Sequence, residues 1–458
     1  MQAPVHPSKR STLIQSGKPS TLRAAGTTTA LTSLALCSMI GSAYANPQGG
    51  HVVGGSATIG SSGKTLNITQ HTSRAIIDWS SFNIGKGETT NFYQPSANAI
   101  ALNRVVNATQ ASTINGSLNA NGRVFVVNPN GVLIGRSGNI NTAGFVATTA
   151  NIANQDFMAG NMHFAIPGDP NATVVNEGTI TVADRGLVAL VAPNVRNSGV
   201  ITGRLARVEL AAGDTFAVDL YGDGLISLGL DDTSSKRLVK AENQGRIKAN
   251  GGRIAIQAAT ASNMVSGVVS NSGVIEANSL VERGGEIILS AGGGDINVSG
   301  TLNASGKRGG GRIAIGGEYQ GKGKLPHAKT VNVAKDAVLN ASAISNGNGG
   351  EIVLWSTDRT VFRGRAYAQG GAFGGNGGLI ETSSLGDVFV DGSYVNTLAA
   401  RGKAGWWLLD PQDINVNATG TTYNQATHNN AGTGGVANIS VASLQNALSN
   451  VLLAASRD

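Results

Sequence analysis

The sequence predicts an all-β chain wound as a right-handed parallel β-helix, a β-solenoid, and three observations carry that expectation. Short β-prone runs alternate with Asn, Gly and Ser along nearly the whole chain. Two phrases recur at irregular spacing. Charge is sparse, at 13% of 458 residues, while 64 residues are Gly and only 11 are Pro. With 41% hydrophobic residues a large core can be buried, which argues against disorder. No Gly-X-Y period exists, so collagen is excluded, and a single Cys excludes a disulfide scaffold.

The first phrase is Asn176-Glu-Gly-Thr-Ile180. It returns as Asn197-Ser-Gly-Val-Ile201, Asn243-Gln-Gly-Arg-Ile247 and Asn271-Ser-Gly-Val-Ile275, at steps of 21, 46 and 28 residues. The second joins Gly-Gly to a charged residue and an apolar strand: Gly251-Gly-Arg-Ile-Ala-Ile256, Gly284-Gly-Glu-Ile-Ile-Leu289, Gly310-Gly-Arg-Ile-Ala-Ile315 and Gly349-Gly-Glu-Ile-Val-Leu354. Its steps are 33, 26 and 39 residues. Such degenerate spacing fits stacked coils with loops of variable length. Each coil would lay a strand on the one before, apolar side chains inward and polar ones outward. Gly and Asn serve the corners. At ~20 residues and ~4.8 Å per coil, about 400 residues would build a rod on the order of 100 Å long. No amphipathic helix is expected before the last twenty residues.

Residues 1–45 stand apart. They hold Lys9, Arg10, Lys18 and Arg23 and no acidic residue, then the short apolar run Leu31 to Ile40, and end Ala43-Tyr44-Ala45. A basic segment, an apolar run too short to span a bilayer and a small-x-small site form a secretory signal, with cleavage expected between Ala45 and Asn46. Its removal leaves 30 Lys and Arg against 27 Asp and Glu, a net charge of +3, and takes away the only Cys. The basic balance of the whole chain therefore says little about nucleic acid, and no basic cluster interleaved with aromatics remains.

The densest stretch runs from Leu66 to Thr149. It contains Ala75 to Gly85 with Trp79 and Phe82, Glu88 to Pro95, Leu102-Asn-Arg-Val-Val106, Ile114 to Gly122, Val124 to Gly135, and Gly144 to Thr149. In this order the motifs resemble the haemagglutination-activity, or two-partner secretion, domain of filamentous-haemagglutinin-type exoproteins of Gram-negative bacteria. The resemblance implies a secretion domain over residues 46–165 and a β-helix repeat region over 166–420. Residues 421–458 would begin a further, truncated segment. Asn128-Pro129-Asn130-Gly131 matches the family's Asn-Pro-Asn-Gly signature. Read from its residues alone, it is a fixed corner between strands Val124–Val127 and Val132–Ile134, since Pro donates no ladder bond and Asn-Gly favours a tight turn. The family implies that it supports the fold recognised by an outer-membrane transporter with periplasmic domains. Trp79, Phe82, Asn103 and Arg104 form a secondary motif of the domain. An earlier Asn-Pro-Asn-Leu motif of the filamentous-haemagglutinin branch is missing; the comparable region reads Leu66-Asn-Ile-Thr69.

Further on, Gly349 to Ser356, Thr360 to Gly364, Gly374 to Thr382 and Gly402-Lys-Ala-Gly-Trp-Trp-Leu-Leu-Asp-Pro411 resemble high-molecular-weight adhesins and large exoproteins linked to haem utilisation or adhesion. The resemblance implies a secreted adhesin exported through a cognate transporter after passage through the inner-membrane machinery, its receptor unidentified. Alternatives are a haem- or haemoprotein-acquiring exoprotein, the stalk of a contact-dependent growth-inhibition toxin, and a polysaccharide lyase. Catalysis by a β-helix needs carboxylates converging on one groove. Here Asp231-Asp232 and the remaining acids read as solvated residues of loops and corners. No metal, no cofactor and no nucleic acid is expected; the six His show no metal-ligand spacing. Nine Asn-x-Ser/Thr sequons, including Asn67, Asn107 and Asn115, are possible modification sites. Trp355, Trp406 and Trp407 are read as packing residues between coils.

Overall fold

Apolar residues at every second position give each short run one face to bury, and the chain buries them by coiling. A computed structural model describes residues 45–218, 226–230, 237–261, 265–280, 284–419 and 436–455. Three long sheets of 14, 13 and 10 strands run along the stack, and each coil contributes to them in turn. The first strands form a cap: His51–Gly54 pairs antiparallel with Arg74–Trp79, and Ala57–Ser62 antiparallel with Thr65–Gln70. From there on the three sheets are parallel, as in Arg123–Val127 on Gly144–Thr148 and Leu187–Ala192 on Arg207–Ala212. The cap covers a sheet edge that would otherwise offer unpaired backbone groups to another chain.

The repeated phrases become columns. Ile180, Ile201, Ile247 and Ile275 stack in register in the second sheet, all fully buried. Asn176, Asn197, Asn243 and Asn271 stack in the third. Their side chains point inward and form a ladder in which each Nδ2 donates to the next Oδ1 at 2.7 Å. In the first sheet the charged residue of the second phrase forms an outward column, Arg253, Glu286, Arg312 and Glu351. Neighbours pair across the coils: Arg253 with Glu286 at 3.3 Å, Arg312 with Glu286 at 2.9 Å and with Glu351 at 3.0 Å. Arg312 also reaches Glu318 at 2.9 Å. Burial works against its charge, but these carboxylates outweigh it and hold the guanidinium more firmly protonated than a free arginine.

Two covers lie on the outer face of the first sheet. The helix Asn154–Ala159 and a small antiparallel sheet of His163–Phe164, Thr215–Val218 and Ile226–Gly229 form the first. They bury the outward Ile76, Leu102, Phe125, Val127 and Val146 beneath Phe157, Phe164 and Phe216. The rings of Phe164 and Phe216 stack at 4.4 Å. Each such fully buried side chain stabilises the fold by about 1.5–3 kcal/mol. The second cover is the segment from Gly316 to Ala328, which folds over Trp355. A methyl group on Gly321, whose φ is +63°, would lie 2.4 Å from the indole, and His327 packs on that ring at 4.1 Å.

Four expectations need correction. Coils are not uniformly of about 20 residues: equivalent first-sheet positions are 20 apart from Leu187 to Arg207 but 46 apart from Arg207 to Arg253. The excess forms covers and loops, so thirteen stacked strands at ~4.8 Å make a stack of about 60 Å, not 100 Å. A helix occurs before the last twenty residues, at Asn154–Ala159, although the short helix Val441–Gln445 does lie within them. The acids are not all solvated: Glu209 and Glu381 lie within strands and are fully buried. Asp231 and Asp232 lie outside the described residues. Trp355 and Trp407 are buried as expected, whereas Trp406 is half exposed. Coils stack on both sides of residue 165, which itself lies in the first cover, and Asn450–Leu453 adds in parallel to Trp406–Asp410.

Candidate functional site

The Asn-Pro-Asn-Gly tetrapeptide forms the corner between strands Arg123–Val127 and Val132–Ile134. Asn128 Oδ1 accepts the Asn130 N–H at 3.0 Å, and the Gly131 N–H donates to the Asn128 carbonyl at 2.9 Å, so the turn is closed by its own residues. The same side chain fastens the corner to the preceding coil, because Asn128 Nδ2 donates to the Gln110 carbonyl and to Ser112 Oγ, both at 3.0 Å. Asn130 Nδ2 donates to the Ala108 carbonyl at 2.7 Å. On the other side, the Pro129 carbonyl accepts the Asp169 N–H at 3.0 Å. Gly131 has φ +112°, and a methyl group there would stand 2.5 Å from the Thr173 carbonyl oxygen. Only Gly fits. Asn128 is buried, while Pro129 and Asn130 remain half exposed.

Beneath the corner lies a polar cavity of about 150 Å³, lined among others by Phe82, Asn107, Gln110, Ser112 and Asn128. Phe82 packs edge-on against Trp79 with ring centres 5.8 Å apart. Trp79 Nε1 donates to Asn103 Oδ1 at 3.0 Å, and Asn103 Nδ2 donates to the carbonyls of Ala101 and Phe125. Trp79, Phe82, Asn103 and the corner are thus linked through the coil interior. Strand alternation turns the neighbouring Arg104 to the opposite face. There it pairs with Asp78 at 2.8 Å and donates to Asn154 Oδ1 at 2.7 Å, tying the first cover to the sheet.

At the start of the described chain, the Ala45 N–H donates to Glu88 Oε1 at 2.8 Å, and Asn46 is held by Thr90 and the Lys64 carbonyl. Ala43 and the other leader residues before Ala45 lie outside the described residues. Sequence reasoning read the inward Asn ladder as corner residues and missed the two fully buried strand glutamates, Glu209 and Glu381. Burial raises Glu209 to about 8, against a hydrogen bond from Gln257, and raises Glu381 to about 7, against the N–H of Gln320. Five coil steps separate them in one column, so they stand on the order of 24 Å apart. Paired-carboxylate hydrolysis needs about 5–9.5 Å. Among the described residues no group of three or more His, Cys, Asp or Glu could hold a metal ion, and no helix is long and apolar enough to cross a membrane.

A model of the TPS secretion domain matches residues 43–304. The chain belongs to this family. It is 34% identical over 266 residues to a heme/hemopexin-binding protein of Haemophilus influenzae strain Rd, and 32% identical over 290 residues to a second protein of that name from Haemophilus influenzae. These matches cover 56% and 58% of the chain but only 29% and 30% of the relatives. The crystal structure of the HMW1 secretion domain from Haemophilus influenzae shares 31% identity and superposes with a TM-score of 0.61, covering 80% of this chain and all of that one. As a member of the family, the protein is a secreted exoprotein that crosses the Gram-negative envelope through the periplasm to the cell surface. Proteins with this domain require a cognate outer-membrane transporter.

Proposed function

We propose that this exoprotein captures haem or a haem-carrying protein at the bacterial surface, without catalysis. The observation that carries the reading is the 34% identity over 266 residues to a heme/hemopexin-binding protein. Purified protein is expected to be retained by immobilised haemin or immobilised hemopexin. Retention by neither refutes capture. Attachment to host cells or surfaces is the second reading, favoured by the distal phrases ending at Trp406-Trp-Leu-Leu-Asp-Pro411, which resemble high-molecular-weight adhesins. Binding of the purified protein to epithelial monolayers, unaffected by added haem, would favour it.

For export, we propose that residues 1–45 direct inner-membrane passage and that the corner Asn128–Gly131 presents the half-exposed Pro129 and Asn130 to the transporter's periplasmic domains. The buried Trp79, Phe82 and Asn103 support this corner from below, and Arg104 holds the first cover. Replacing Asn128 and Asn130 by Ala together is expected to abolish appearance in the medium while the protein is still made and reaches the periplasm. Undiminished export would refute their role. Unchanged secretion after deletion of the transporter gene would refute the export route.

A further inference from the structure

Between the two covers, the outer face of the first sheet carries apolar residues where a solenoid in water carries polar ones. Ala255, Ile288 and Ala314 stand outward in register on three successive coils and form a small buried cluster with Leu325. Above this floor opens a cavity of about 670 Å³, walled by Leu228 and Leu230 of the first cover and by Leu325 and Pro326 of the second. That volume lies within the range of about 300–1,000 Å³ typical of small-molecule sites. Its charged lining is unequal: Arg253, Arg312 and Lys324 against Glu318. Glu286, Glu318 and Glu351 hold and neutralise the two guanidinium groups, so among the described lining residues the cation left to face a ligand is Lys324. Lys324 is exposed at the mouth.

We propose that this groove is a binding site for a single-chain amphipathic anion of the fatty-acid type. Its hydrocarbon lies on Ile288 between the two leucine walls, and its anionic head lies toward the exposed Lys324. The described lining contains no His, Met, Cys or Tyr to coordinate a haem iron, so the site is independent of the haem reading.

The test titrates the purified, secreted chain with 11-(dansylamino)undecanoic acid, followed by dansyl fluorescence, with oleate as competitor. Saturable binding at one site, displaced by oleate, is expected. Ile288→Arg places a charge on the floor without touching the inward face of its strand, and should weaken binding at least tenfold. Lys324→Glu lies on an exposed loop. It should weaken binding of the acid several-fold and leave the neutral amide of the same probe unaffected. Circular dichroism and thermal melting confirm that each variant is folded. Absence of saturable binding, or equal binding by the wild type and folded Ile288→Arg, overturns the site. Equal affinity for acid and amide, with Lys324→Glu silent, overturns the anionic head.

Discussion

Replacing Asn243 by Ala tests whether the inward asparagine ladder stabilises the stack because it is buried. Asn243 donates to Asn271 and accepts from Asn197, each at 2.7 Å, and all three side chains are buried. The substitution removes two hydrogen bonds worth about 1 kcal/mol each and strands two buried polar groups at about 1–3 kcal/mol each, though part of this is relieved by relaxation. A loss of about 3–4 kcal/mol is expected. A matched control exists in the same fold. Asn67, Asn91 and Asn119 form a second ladder with 3.0 Å bonds, but half exposed, so that water replaces the lost partner. Asn91→Ala should therefore cost less than about 1 kcal/mol. Urea unfolding followed by circular dichroism measures both, with amide exchange across residues 243–247 as a local readout, since stacked coils need not unfold in one step. Equal costs within about 0.5 kcal/mol would refute the argument from burial.

Three further outcomes are expected. Gly131→Ala should cost more than about 2 kcal/mol, because it combines a positive φ with a 2.5 Å approach to Thr173, whereas Gly63→Ala, with φ +55° and open space around it, should cost about 1 kcal/mol; thermal melts of the two variants decide. Arg104→Met leaves Asp78 without its partner and Asn154 unanchored, so limited proteolysis should cut near residues 154–164 well before the wild type is cut. Glu209, raised by burial to about 8, binds its proton more tightly folded than unfolded. Stability should therefore fall as pH rises from about 4.5 through 8 and then level off. Glu209→Gln should flatten that slope in melting temperatures recorded from pH 5 to 9, and an unchanged slope would show that Glu209 does not cause it.

The coil architecture was legible because its signals are local. The Ile of the first phrase and the charged residue of the second each fall in one column, whatever the loop length between them. The corner at Asn128–Gly131 was legible for the same reason, as Pro and Asn-Gly constrain the backbone where they stand. What was missed depends on contacts distant in sequence. Asn176 and Asn197 stand two residues before a Gly and read as corner residues, and only stacking shows that they face each other indoors. Glu209 occupies an outward strand position, where solvent is expected, and is buried along with the rest of the covered face. The helix Asn154–Ala159 has six residues, too few for a periodic pattern to register. Its anchor, Arg104, lies fifty residues earlier.

The outward column of Arg253, Glu286, Arg312 and Glu351 alternates in sign from coil to coil. That alternation supplies an order check during assembly. Each coil added after that of Arg253 meets the opposite charge in its proper place, whereas Arg253 itself lies on Arg207. A coil that skips its predecessor sets Glu351 on Glu286, or Arg312 on Arg253, and like charges directly opposite on neighbouring strands are destabilising. Over these four coils the sign of one side chain distinguishes the correct addition from an omission before the next coil arrives.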